Sequence, residues 1–169
     1  TLEGLNVPTY LRELIRRVYQ HPLIQVAHGA KIADVSGYVG NFVTTVEYEG
    51  RTKVIQHGAA IIATGISEYE PTEYLYGHDE RVWTQLEVED HITDEDERLA
   101  EAQSVVMIQC VGCRQEGRDY CSRICCSESV KNALKLKNLN PALDIYILFR
   151  DMRTYGFNED YYREAADRD

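Results

Sequence analysis

All five cysteines of this 169-residue chain, at 110, 113, 121, 125 and 126, fall between two segments that read as different kinds of secondary structure. Ahead of them, residues 104–111 contain Val105-Val106-Met107-Ile108, an unbroken apolar run of the kind shown by a strand covered on both faces. Behind them, Val130, Ala133, Leu134 and Leu136 recur at helical spacing over 127–138, with Ser127 available as a cap. Asn140-Pro141 turns the chain, and residues 144–149 repeat the buried-strand pattern. The order predicts a β-α-β unit with a right-handed crossover. It places the cysteines in the loop where a nucleotide-binding β-α-β carries its phosphate turn.

That turn normally needs G-x-G-x-x-G, so that backbone can approach a pyrophosphate. Here it reads Cys110-Val111-Gly112-Cys113-Arg114, which keeps one glycine. A pyrophosphate site is not expected there. Thiolates are soft ligands that select zinc, copper(I) or iron–sulfur clusters. Cys110, Cys121, Cys125 and Cys126 follow C-x10-C-x3-C-C, enough for a tetrahedral zinc or a cubane. The only C-x2-C pair is Cys110–Cys113, and the C-x3-C-C run is unusual for structural zinc. Arg114, Arg118 and Arg123 are placed to offset the negative charge of a thiolate-bound cluster. Spacing alone leaves iron–sulfur, zinc and redox or inert thiols open.

Upstream, Asn6 and Pro8 open a helix with Leu11, Leu14, Ile15 and Val18 on one stripe, and His21-Pro22 ends it. Residues 23–27 and 31–36 read as short strands. Residues 41–48 alternate with period two, Glu49-Gly50 turns, and 52–56 returns, which predicts an antiparallel meander. Residues 58–65 form an apolar run ending in Thr64-Gly65, which predicts a strand buried on both faces. A crossover loop over 67–77, a helix over 82–92 and a last helix over 158–167 complete the pattern.

The formal net charge of −10 argues against nucleic acid as a partner, since phosphate binding needs a basic face. The acidity concentrates between 87 and 101 and reads as a solvated face. No apolar run reaches the length of a membrane span and no leader is visible, so a soluble, cytoplasmic protein is expected. In that compartment clustered cysteines point to metal or redox chemistry rather than to disulfides. The five histidines (21, 28, 57, 78 and 91) are scattered and form no spaced pair.

The stretches TLEGLNVPTYLRELIRRV, VSGYVGNF, GAAIIATGISEYEPTEYLYG and, most specifically, VVMIQCVGCRQEGRDYCSRICC with the residues on to Tyr155 resemble the family formed by the A subunits of heterodisulfide reductase. The resemblance implies a partial FAD/NAD(P)-binding, thioredoxin-reductase-like α/β fold. Residues 1–103 would be part of an FAD lobe with its β-meander, and 104–169 a nucleotide-lobe-like β-α-β unit. It implies an oxidoreductase segment relaying electrons between FAD and [4Fe–4S] clusters. Cys110, Cys121, Cys125 and Cys126 would be the cluster ligands, whereas Cys113 stands where relatives commonly have serine. Ala63, Thr64 and Gly65 would approach FAD, and the backbone at Lys31 and Ile32 its adenine. The family's Gly-rich FAD fingerprint is absent from this chain and would lie upstream of Thr1. An internal piece of the flavin subunit is therefore expected, inactive on its own. The implied partners are the other subunits of such a complex and electron donors such as hydrogenase or ferredoxin. A zinc-stabilised interaction domain and an NAD(P)H-binding reductase lobe are the alternatives.

Overall fold

A computed structural model describes residues 5–168. Residues 1–4, which open the first of the family-like stretches, and Asp169 lie outside that span. The chain divides into two compact units between Ser67 and Glu68. The boundary expected from sequence, between 103 and 104, falls inside the second of them.

In the first unit, helix α1 spans Val7–Gln20. Asn6 Oδ1 accepts the Thr9 N–H at 2.9 Å, and Pro8 occupies the first turn, where its missing N–H costs nothing. His21 is extended, as a residue before proline must be, and the helix stops there. Strands β1 (Lys31–Tyr38), β2 (Asn41–Tyr48) and β3 (Arg51–His57) form the expected antiparallel meander in the order 1-2-3. Glu49 and Gly50 both take positive φ in the β2–β3 turn, the geometry that matches the right-handed twist of a hairpin. At Gly37 a Cβ would lie 2.2 Å from the Asn41 carbonyl oxygen, so only glycine lets β1 run this close to β2.

Two expected strands are absent among the described residues. Residues 23–27 join no ladder, and neither do 58–65, whose Ile61 is 93% exposed. A strand of this composition is stable only with neighbours on its edges and cover on its faces. Residues 58–65 have neither, and the apolar pattern alone does not supply them.

The second unit contains α2 (Gln85–Thr93), α3 (Glu97–Glu101), β4 (Ser104–Ile108), α4 (Cys125–Leu139), β5 (Asp144–Leu148) and α5 (Asn158–Asp167). Thr84 and Glu87 form a reciprocal capping box, so α2 begins at Gln85 rather than at 82. Strands β4 and β5 pair in parallel, with Val105 opposite Ile145 and Met107 opposite Ile147. Those four side chains face a core of Leu99, Ala133, Leu136 and Leu143, closed by Trp83, Val88 and Ile92. Burying Leu136 and Leu143, which are 1% and 0% exposed, stabilises the unit by about 2 kcal/mol each. Lys131 on α4 reaches both Glu128 and Glu89, and the buried Asn132 donates its amide to Gln85 at the start of α2.

The β-α-β unit forms as expected, but its strands are covered on one face only. Val106, Ile108, Tyr146 and Leu148 alternate with the core residues and are exposed. The architecture is mixed α/β, with an antiparallel three-stranded sheet in one unit and a parallel two-stranded sheet in the other. Helix α4 starts two residues before the expected 127, which puts Cys125 and Cys126 into its first turn. Ser127 lies inside the helix and is not its cap; Ile124 holds that position and supplies no side-chain hydrogen bond.

Candidate metal centre

The loop between β4 and α4 is built from unfavourable backbone. Cys110, Arg114 and Arg123 take φ of 65°, 57° and 60°, and Gly112 and Gly117 are also positive. For a residue with a Cβ this conformation costs about 1 kcal/mol or more, and such strain collects where a site demands it. The Cys113 N–H donates to the Cys110 carbonyl at 3.3 Å, closing Cys110-Val111-Gly112-Cys113 as a tight turn. The Arg114 N–H bonds the Tyr120 carbonyl, and Gln115 and Arg118 exchange backbone hydrogen bonds, so the remainder folds into a small hairpin that returns Cys121. Tyr69 packs against Gly112, and the Arg118 guanidinium stacks over its ring at 4.7 Å.

Backbone groups act on the sulfurs. Arg123 donates its N–H to Cys121 Sγ at 3.3 Å. The backbone at Ser122 lowers the Cys113 thiol and that at Arg153 lowers the Cys126 thiol, each against the effect of burial. The Arg114 guanidinium lies 3.9 Å from Cys110 Sγ and is anchored by Asp151 at 2.6 Å. Cys126 Sγ donates to the Asp151 carbonyl oxygen at 3.8 Å. With no side-chain cap on α4, the helix N-terminus adds further partial positive charge beside Cys125 and Cys126.

The thiols affect one another. Burial pushes the Cys113 thiol up, the Ser122 backbone opposes this, and the neighbouring Cys110, Cys125 and Cys121 add to it. Burial pushes the Cys126 thiol up as well; the Arg153 backbone opposes, and Cys125 and Cys110 add. Both thiols are therefore neutral at pH 7, and a metal must displace their protons to bind. The carboxyl of Asp151 is held below its usual range by the Arg114 guanidinium.

Cys110, Cys121, Cys125 and Cys126 thus lie in one loop and the first turn of one helix, and Cys113 lies among them. Among the described residues, no three His, Cys, Asp or Glu side chains converge closely enough to hold a metal ion. The thiols are gathered but not closed around a centre. One buried polar group at the entrance to this loop has no partner. Gln109 precedes Cys110, is 7% exposed, and has both Nε2 and Oε1 buried without a hydrogen-bond partner. An orphaned buried amide costs about 1–3 kcal/mol. Sulfur-rich clusters are tuned by N–H donors. The donor set fits a thiolate-bound cluster.

The arginines divide their roles. Arg114 alone of the three reaches a thiol with its guanidinium; Arg118 is engaged with Tyr69, and Arg123 contributes its backbone N–H. Gln109, Asp151 and Arg153 do not stand out in the sequence as site residues. Gln109 carries a signal: it continues the inward alternation of Val105 and Met107, where a polar residue is out of place. Asp151 and Arg153 carry none, because only the fold brings the residues after β5 to the loop after β4. The expected flavin residues Lys31 and Ile32 lie on β1, and Ala63, Thr64 and Gly65 on the irregular segment after β3; all five are exposed. Gly65 has φ of 72° and open space where a Cβ would stand.

No family model matches the chain. Among curated proteins it is similar to the A subunit of the H2/formate:CoB–CoM heterodisulfide,ferredoxin reductase of Methanococcus maripaludis, with 39% identity covering 68% of this chain and 20% of that protein. It is 38% identical to the iron-sulfur A subunit of the CoB–CoM heterodisulfide reductase of Methanocaldococcus jannaschii, covering 66% of this chain and 19% of that protein. The A subunit of a ferredoxin/F420H2-dependent CoB–CoM heterodisulfide reductase of Methanosarcina acetivorans is 31% identical over 72% of this chain and 18% of its own length. The chain spans about a fifth of the length of these relatives.

Proposed function

We propose that this chain, a homologue of the A subunits of heterodisulfide reductases, is an electron-transfer segment whose cysteine loop holds a [4Fe–4S] cluster. Cys110, Cys121, Cys125 and Cys126 are the ligands in this reading. The observation that carries it is the loop itself. A β-α-β turn that would otherwise cradle phosphate instead gathers thiols, aims the Arg123 N–H at one of them, and leaves the Gln109 amide without a partner. When bound, the cluster supplies a carrier for single electrons.

The protein's part is placement and tuning. Arg123, Ser122 and Arg153 stabilise thiolate charge through their backbone, and Arg114 does so through its guanidinium. Asp151 positions Arg114.

The larger function follows the relatives' names. In a full-length flavoprotein whose FAD/NAD(P)-binding fold this chain completes in part, the segment exchanges electrons between FAD and other clusters. Its electrons come from donors such as ferredoxin or hydrogenase, and its partners are the other subunits of a heterodisulfide-reductase-like complex. Residues 58–65 gain strand neighbours there, and the backbone at Ala63, Thr64 and Gly65, with Lys31 and Ile32, meets the flavin nucleotide.

The ligand assignment is tested by Cys125→Ala with Cys126→Ala. Iron-loaded chain prepared without oxygen is expected to be brown and to bleach with dithionite, and the double variant to be colourless. Persistence of the brown chromophore in the double variant would overturn the assignment.

A further inference from the structure

Resting on the cluster reading above, we infer that Cys113 is an alternative ligand that replaces Cys110 when that thiol is lost or displaced. The fifth cysteine is not a bystander on the surface. It is 7% exposed, more deeply buried than Cys110, Cys121 or Cys125, and its sulfur lies near enough to all three to feel their charge. Its pairing with Cys110 is set by the backbone. The two residues close one tight turn through the Cys113 N–H and the Cys110 carbonyl at 3.3 Å, which is the C-x2-C arrangement that lets two thiols face one metal.

The two thiols of this turn differ in their surroundings. Arg114 lies 3.9 Å from Cys110 Sγ, while Cys113 is the more deeply buried of the two. A thiolate at Cys110 therefore meets a donor already in place, and one at Cys113 is shielded from solvent. Gly112 between them has φ of 69° and is packed by Tyr69, so the turn that carries both sulfurs is braced as a unit. Cys121, Cys125 and Cys126 share no such turn with Cys113. Exchange involves no change of oxidation state: the iron–sulfur bond to Cys110 breaks as that to Cys113 forms, and the Cys113 proton passes to the departing Cys110 thiolate, or to solvent where Cys110 is replaced by alanine, so that the number of thiolate ligands stays the same.

The test uses the full chain, reconstituted anaerobically with ferrous iron and sulfide. Iron and acid-labile sulfide per chain are measured for the wild type, Cys110→Ala, Cys113→Ala and the double variant, with electron paramagnetic resonance of each after reduction. Alanine removes the possibility of ligation through oxygen. Far-ultraviolet circular dichroism and Trp83 fluorescence confirm that each variant folds, and Cys110→Gly repeats the first substitution without strain at its positive φ. Both single variants are expected to retain wild-type iron and sulfide. The resonance line shape should change in Cys110→Ala and stay as wild type in Cys113→Ala, and the double variant should lose iron. Iron loss in Cys110→Ala as complete as in the double variant overturns the exchange. Iron loss in Cys113→Ala makes Cys113 a primary ligand and overturns it equally. A wild-type chain that binds no iron removes the cluster reading itself, and the exchange with it.

Discussion

The brace between Tyr69 and the cysteine turn yields a paired substitution with its own control. Gly112 and Gly117 both have positive φ, at 69° and 78°, and both lie in the β4–α4 loop. Alanine at either position costs about 1–2 kcal/mol for the left-handed conformation. It regains about 0.4–1 kcal/mol by restricting the unfolded chain. These contributions are common to both sites. The surroundings are not. A Cβ at Gly117 meets nothing within 4 Å, whereas one at Gly112 would stand 2.2 Å from Tyr69 Cδ1. The ring must move, losing its stacking with Arg118, worth about 0.5–1 kcal/mol, together with packing that overfilling typically costs about 1–3 kcal/mol. Gly117→Ala should therefore cost under about 1.5 kcal/mol, and Gly112→Ala about 1–3 kcal/mol more. Urea unfolding of the reduced chain, followed through Trp83, reads the second unit because the chain has one tryptophan. Adding Tyr69→Ala should remove most of the excess in Gly112→Ala and leave Gly117→Ala unchanged. Equal losses for the two glycines, or no relief from Tyr69→Ala, would refute the brace.

Three further outcomes are expected. Gln109→Leu should stabilise the metal-free chain by about 1 kcal/mol, since it removes an unpaired buried amide; denaturant unfolding measures it. Leu143→Ala should cost about 2–5 kcal/mol in the same unfolding experiment, because Leu143 is fully buried in the cluster beneath β4 and β5. In an NMR titration the carboxyl of Asp79, pushed down to about 2 by the Arg81 guanidinium, should titrate well below an ordinary aspartate, and that of Asp151 should also titrate low because of Arg114. Because both folded values lie below the unfolded ones, the stability they contribute is present above about pH 4 and is lost as pH falls below it, for Asp79 towards about 2. Arg114→Met should raise Asp151 towards the ordinary range, with Arg153 still holding it somewhat below, and leave Asp79 low.

Local signals foretold local structure. Asn6 and Pro8 marked the start of α1 to the residue, and Glu49-Gly50 marked the hairpin, because caps and turns are decided by a few adjacent residues. The β-α-β order around the cysteines was also legible, since strand and helix periods differ over short windows. Partnership was not. Residues 58–65 and 104–108 are both apolar runs, yet only the latter found a parallel neighbour, and even β4 is covered on one face rather than two. Periodicity reports which faces prefer burial and says nothing of what is present to bury them. At the site, cysteine spacing showed where the thiols gather. Arg153 and Asp151 reach them only because β5 lies beside β4, a long-range pairing that no window of sequence contains.

The central claim is that the thiol loop holds an iron–sulfur cluster, and metal identity tests it most directly. Chain loaded and handled without oxygen should contain about four irons and four acid-labile sulfides, with no stoichiometric zinc, and reduction should produce a paramagnetic resonance signal of a reduced cubane. About one zinc per chain with no sulfide and no colour would contradict the claim and make the same loop a structural zinc site.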